Sequence, residues 1–217
     1  MVQENKQFER EFLCYSMDFL SLKDKTKNAK TLNNTDKIIM PEAILDHLHR
    51  YPNISSPYIF KLKNKDKINY CGVLEFTSDS PHVVYVPKWI MANMDLKDGD
   101  RFEILSVNLQ KGDLITLQPR NELFFKLSNP KSVLENYLRK FTVLYQGETL
   151  RIEYLGRTFD IDVVETKPDR AIDITDIDLK LQFINIFDKT TTKSDDKQSV
   201  GDTQKVDYWS KLGIRKN

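Results

Sequence analysis

The sequence predicts a mainly β fold with an α+β supplement: a closed β-barrel over residues 8–119, a small α+β unit over 120–187, and a flexible tail over 188–217. Three observations carry this reading. A strand–Pro–helix unit occurs twice, as KIIMPEAILDHL from Lys37 and as VVYVPKWIMANM from Val83. The strands are short, and one of them changes the phase of its apolar set. Two units, each too small to bury its own apolar face, can close a single sheet against one another, and closure removes free edges. Finally, one amphipathic helix followed by alternating strands after residue 120 supplies a second core.

FEREFLCYSM (8–17) reads as the first strand and KDKTKNAKTLNNTD (23–36) as a polar loop. In the first unit Ile38, Ile39 and Met40 form a strand. Pro41 suits the first turn of a helix, where no N–H is needed, and Ile44, Leu45 and Leu48 recur at helical spacing. YIFKL (58–62) and YCGVLEF (70–76) read as strands. The second unit repeats the pattern with Val84, Tyr85, Val86, Pro87 and the apolar stripe Trp89, Ile90, Met94. Asp98-Gly99 provides the positive φ of a tight turn. In RFEILSVNL the apolar set shifts from Phe102 and Ile104 to Leu105, Val107 and Leu109, which predicts a bulge or bend. Lys111-Gly112 then turns the chain into DLITLQP (113–119), taken as the last barrel strand.

SNPKSVLENYLRKF (128–141) is the clearest helix. Asn129 caps it, Pro130 opens it, and Leu134, Tyr137, Leu138 and Phe141 form its buried stripe, each worth roughly 1.5–3 kcal/mol on burial. It covers a sheet built from residues 148–174, with a hairpin at Leu155-Gly156, Phe159, Ile161 and Val163 inward, and Asp160 and Asp162 outward. Pro168-Asp169 marks a turn, and DLKLQF (178–183) is a last strand. Residues 188–205 have almost nothing to bury, and VDYWSKLG (206–213) is an aromatic island in that polar tail.

Composition narrows the function. The net charge of +1, from 33 basic and 32 acidic residues, argues against nucleic-acid binding. No apolar run approaches the ~20 residues of a membrane span, and MVQENKQFER lacks the layout of a signal peptide, so a soluble cytosolic or nuclear chain without membrane insertion is expected. Cys14 and Cys71 read as reduced, buried thiols. Seven glycines form no phosphate-binding motif, and neither a G-x-S-x-G elbow nor paired Asp-[ST]-Gly is present. His47 and His49 diverge on a helix, and Asp173, Asp176 and Asp178 lack the spacing of a calcium loop. Asp160 and Asp162 could act as a carboxylate pair, yet their alternation already explains them as the solvent side of a sheet. The expectation is no catalytic residue, no metal and no cofactor: not an enzyme.

Six blocks in order, KIIMP, CGVLEF, VYVPKWIMANM, SVNLQKGDLITLQP, NPKSVLENYLRKF and VVETKPDRAIDI, resemble the N-terminal region of the ubiquitin fusion degradation protein 1 family from about Phe8 to Phe183. The resemblance implies a double-psi β-barrel followed by a small α+β subdomain, the layout of the N-domain of valosin-containing-protein type AAA ATPases. It also implies a ubiquitin-binding adaptor. With a nuclear protein localization 4 homologue, such an adaptor brings polyubiquitylated clients to the AAA unfoldase, including at the cytosolic face of the endoplasmic reticulum. The ubiquitin-contacting residues stay unassigned. For the ATPase-docking peptide the nearest match is Tyr208, Trp209, Leu212 and Gly213, although the family's second glycine and the leucine after it are absent. The alternative is an N-terminal substrate-recognition fragment of an AAA ATPase itself. A groove between the two subdomains is a further expected contact surface.

Overall fold

The computed structural model describes residues 8–187. Six strands close into a barrel: β1 (Glu9–Ser16), β2 (Lys37–Pro41), β3 (Ile59–Asn64), β4 (Lys67–Ser78), β5 (Val83–Val86) and β6 (Arg101–Ser106), in the spatial order β1-β5-β2-β4-β3-β6. The pairs β1–β5 and β2–β4 are parallel, and all the others are antiparallel. Exchanging β1 with β4, β2 with β5 and β3 with β6 leaves every pairing and its sense unchanged. That invariance is the pseudo-twofold expected of a double-psi barrel. It explains the repeated motif, because the two strand–Pro–helix units occupy equivalent places and their strands meet at Ile39 and Tyr85.

Each repeat continues into a short helix, α3 (Glu42–Leu48) or α4 (Lys88–Asn93). The prolines sit one position earlier than expected. Pro41 and Pro87 are the N-cap residues, with ψ of 140° and 138°, and not members of the first turn. The ring fixes φ near −65°, which suits either position. Their extended ψ lets Pro41 stay in register with Ser78 at the end of β2. Ile44, Leu48, Ile90 and Met94 then point into the same core as Phe12, Phe60 and Phe102, while Leu45 is only half-buried.

Three further expectations about the barrel change. The stretch 23–36, expected to be a loop, follows a short helix, α1 (Met17–Lys23), capped by Ser16, and itself contains another, α2 (Ala29–Asn33), capped by Asn28. They cover the outer face of the barrel, where Met17 and Leu32 bury Ile39 and Tyr85. The phase change in β6 needs no bulge: the strand keeps regular register with both neighbours and ends at Ser106, with Ile104 and Leu105 buried on opposite faces. The register shifts fall instead in β2–β4, between Ile38 and Ile39 and between Met40 and Pro41.

The third change concerns β7 (Leu114–Pro119), read as the last barrel strand. It belongs to the second sheet, in the order β12-β7-β10-β9, with β9 (Thr149–Tyr154), β10 (Arg157–Lys167) and β12 (Lys180–Phe183). Its alternating Ile115 and Leu117 would suit either sheet; the partners decide, antiparallel β10 and parallel β12. The β9–β10 hairpin turns where expected, with positive φ at Leu155 and Gly156. Over it lies α5 (Pro130–Leu138), capped by the Asn129 side chain accepting from the Ser132 N–H at 3.1 Å, with Leu134, Tyr137 and Leu138 buried. Residues Ala171–Asp173 (β11) leave the main sheet and pair with β8 (Val143–Tyr145), a strand too short to read in advance.

Candidate functional site

The two subdomains meet along a buried polar seam flanked by clefts. On the barrel side, Asp36 at the entry to β2 is almost fully buried. Its Oδ2 accepts from the N–H groups of Thr142 and Val143, both at 2.8 Å. Burial pushes the Asp36 carboxyl up to about 7, against the opposing pull of those two donors. Gly72 on β4 faces the same point. A Cβ there would stand 2.2 Å from Thr142 Oγ1, so only glycine permits this approach. Nearby, Asn69 donates from Nδ2 to the Tyr145 hydroxyl at 3.1 Å, and Glu148 accepts from the Tyr145 N–H at 2.8 Å. Glu148 is also buried, and its carboxyl is pushed well above the ordinary range. Asp36 Oδ1 and Asn69 Oδ1 have no hydrogen-bond partner.

One cleft of about 640 Å³ opens beside this seam. Trp89 of α4 forms its floor with Phe141, the ring centroids 6.1 Å apart, and Phe141 stacks on Tyr137 at 5.0 Å. The Trp89 indole N–H donates to Thr35 O at 2.9 Å, and the Tyr137 hydroxyl donates to Arg151 O at 2.6 Å. Trp89 therefore packs on both cores at once. The walls are charged but paired: Lys88 with Asp18, Arg151 with Asp160 at 2.9 Å, and Lys30 with Glu153 across the cleft at 3.5 Å. A second cleft of about 1030 Å³ is lined by Pro57, Glu135, Arg139, the loop 174–179 and Leu181 of β12. The expected groove between subdomains is thus present, built from α4, α5 and β9.

The candidate catalytic groups disperse. The Arg151 hydrogen bond holds the Asp160 carboxyl below the usual range. Burial opposes ionisation of Asp162, but hydrogen bonds from Arg120 and Thr149 outweigh it and lower this carboxyl too. Two carboxylates held ionised by arginines cannot supply the protonated partner that general acid catalysis needs. Asp173 turns inward to Lys111 and Thr175. His47 packs between Phe8 and Tyr51, and His82 lies 3.4 Å from Arg10. Cys14 and Cys71 are buried, free thiols, both pushed up chiefly by burial, Cys14 to about 12. Among the described residues no cluster of three His, Cys, Asp or Glu could hold a metal, and no helix is long and apolar enough to cross a membrane. The docking candidates Tyr208, Trp209, Leu212 and Gly213 lie outside the described residues. The seam residues Asp36, Asn69 and Glu148 carry no sequence signal, because the partners of Asp36 are 106 and 107 positions away.

Two family models match in order: "Ubiquitin fusion degradation protein UFD1, N-terminal subdomain 1" over residues 8–110 and "N-terminal subdomain 2" over residues 111–186. Among similar proteins, the human "Ubiquitin recognition factor in ER-associated degradation protein 1" is 34% identical over 213 residues, covering 96% of this chain and 68% of that protein. "Ubiquitin fusion degradation protein 1 homolog" of Dictyostelium discoideum is 35% identical over 196 residues, covering 89% and 57%. "Ubiquitin fusion degradation protein 1" of Saccharomyces cerevisiae is 33% identical over 181 residues, covering 81% and 49%. The chain therefore spans about half to two thirds of the length of these relatives. With both subdomain models matched in sequence along a barrel and its α+β companion, the chain belongs to the ubiquitin fusion degradation protein 1 family.

Proposed function

We propose that this chain is a non-catalytic adaptor that binds ubiquitin chains on client proteins. With a nuclear protein localization 4 type partner, it delivers those clients to a valosin-containing-protein type AAA unfoldase, including in degradation at the cytosolic face of the endoplasmic reticulum. The observation that carries this reading is the ordered match of both subdomain models, joined to the name of the human relative, a ubiquitin recognition factor in ER-associated degradation. The paired carboxylates and inert, buried thiols fit a gripping surface better than a reaction centre. A recognition module of this kind needs only weak contacts, because several ubiquitins in one chain raise the effective concentration of the next contact.

Titration of labelled ubiquitin chains into the purified chain tests the reading. Saturable binding that tightens with chain length is expected, and no signal at high micromolar concentration would overturn it. Tyr208, Trp209, Leu212 and Gly213 are the proposed unfoldase-docking segment. Trp209→Ala should weaken capture of the AAA unfoldase while leaving the melting temperature unchanged, and undiminished capture would dismiss that assignment.

A further inference from the structure

We infer that the ubiquitin-contacting surface is the outer face of α1 together with the adjoining 98–100 turn; this rests on the adaptor reading above. Helix α1 divides its apolar residues between two faces. Met17 and Leu20 turn inward to the cluster around Ile39 and Tyr85, whereas Phe19 and Leu22, three positions apart and so neighbours on one face, turn outward. Leu22 is 71% exposed and Phe19 37%. Tyr15 extends the same ridge, its ring centroid 4.7 Å from that of Phe19. Phe19 is tied to the fold through its ring contact with Tyr15, which packs on that same cluster, whereas Leu22 stands clear of every core cluster among the described residues.

The ridge is bordered by acid. The turn at Asp98-Gly99-Asp100 runs alongside β1, with the Gly99 N–H donating to Cys14 O at 2.7 Å and the Cys14 N–H to Asp100 O at 2.8 Å. The Tyr15 hydroxyl lies over it, 3.8 Å from where a Gly99 side chain would start. Both carboxylates are exposed and accept only from neutral donors: Asp98 from Ser16, Asp100 from the Lys97 N–H. Neither belongs to an ion pair among the described residues. Ubiquitin presents an apolar patch ringed by arginine and lysine, so an apolar ridge with un-neutralised carboxylates complements it in both terms.

Two other exposed apolar side chains, Ile68 and Leu155, lack that pairing. Ile68 stands opposite Lys63 in the β3–β4 ladder, and the carboxylates that reach that ladder from neighbouring elements, Glu103 and Asp95, are taken by Lys63 and Lys67. Leu155, 82% exposed, occupies a hairpin tip next to Arg157, which is paired in register with Tyr154.

The test uses the full chain with monoubiquitin and with ubiquitin chains, followed by isotopically labelled ubiquitin shifts and by calorimetry. Leu22→Arg should weaken binding by about tenfold or more, as expected for loss of a central contact, without a change in melting temperature; Phe19→Ala should weaken it less, with a small drop in melting temperature from the lost Tyr15 contact. Leu155→Arg should bind like the parent. If the parent itself binds no ubiquitin, the adaptor reading fails and this inference with it. If the parent binds and Leu22→Arg binds equally well, or Leu155→Arg is the variant that loses binding, the reading stands and the α1 assignment is overturned. A Leu22→Arg chain that sediments as a smaller species than the parent, with ubiquitin binding intact, would overturn it too, by making the ridge a self-association face.

Discussion

Replacing Asp36 by Asn should change how stability depends on pH more than it changes stability itself. The folded chain holds the Asp36 carboxyl at about 7, against an ordinary value of 3.8 in the unfolded chain. Between those values the folded state binds the extra proton, so stability from this group is fully present below the unfolded value and is lost as pH rises toward 7. A displacement of that size corresponds to roughly 4 kcal/mol, at about 1.4 kcal/mol per unit. Asn cannot ionise. Its carbonyl oxygen can still accept from Thr142 and Val143, but its amide brings two N–H donors to the Oδ1 position, where the protonated acid brings one O–H and no partner stands, at an added cost of about 1–3 kcal/mol. Asp36→Asn should therefore be the weaker protein by that amount below the unfolded value, by about 1 kcal/mol less near pH 4.5, and the more stable one by on the order of 2 kcal/mol near pH 8, with the curves crossing between. Glu148, raised by the same burial, keeps some downward slope in both proteins. Urea denaturation at half-unit pH intervals measures this. Parallel curves for parent and variant across pH 4.5–8 would refute it, because they would mean that the two N–H donors hold Asp36 as an anion throughout.

The remaining predictions concern the same seam and its supports. Gly72→Ala should destabilise by about 1–3 kcal/mol through overlap with Thr142, and adding Thr142→Gly should restore much of the loss in a melting experiment. Trp89→Ala removes the side chain shared by both cores; a loss of about 2–3 kcal/mol is expected, toward the low end for large aromatic truncations because the ring is only partly buried, with calorimetry resolving two transitions where the parent shows one. Asn129→Ala should cost about 1 kcal/mol by uncapping α5, without affecting ubiquitin binding.

Much of this fold is legible because its signals are local. The cap, first-turn proline and i, i+3, i+4, i+7 stripe of α5 lie within fourteen consecutive residues, and the Leu155-Gly156 hairpin carries its own turn chemistry. What could not be read is relational. Strand β7 alternates in a way that suits either sheet, and only its hydrogen-bond partners choose between them. Helices α1 and α2 are only seven and five residues long, and α2 lies in a lysine- and asparagine-rich stretch; they exist because Met17 and Leu32 have Ile39 and Tyr85 to cover, a tertiary cause that propensity does not contain. Asp36 reads as an ordinary turn residue until Thr142 is brought beside it.

The internal repeat accounts for the barrel but not for the site, and the reason lies in how the two copies diverge after their prolines. In the first copy, α3 closes one end of the barrel: His47 packs on Phe8 and Tyr51, and the helix takes no part in the clefts. In the second, α4 places Trp89 against Phe141 of the other subdomain and runs on to the Asp98–Asp100 turn beside α1. A pseudo-twofold barrel offers two equivalent helix positions, but the second subdomain can dock at only one of them. Once it docks, the equivalence is broken: one helix becomes wholly a lid, and the other lies between the inter-subdomain cleft and the exposed ridge. Any partner that reads both surfaces would contact the second repeat and α1, so substitutions in α4 should matter to binding more than matched substitutions in α3, although the two helices occupy the same place in the barrel.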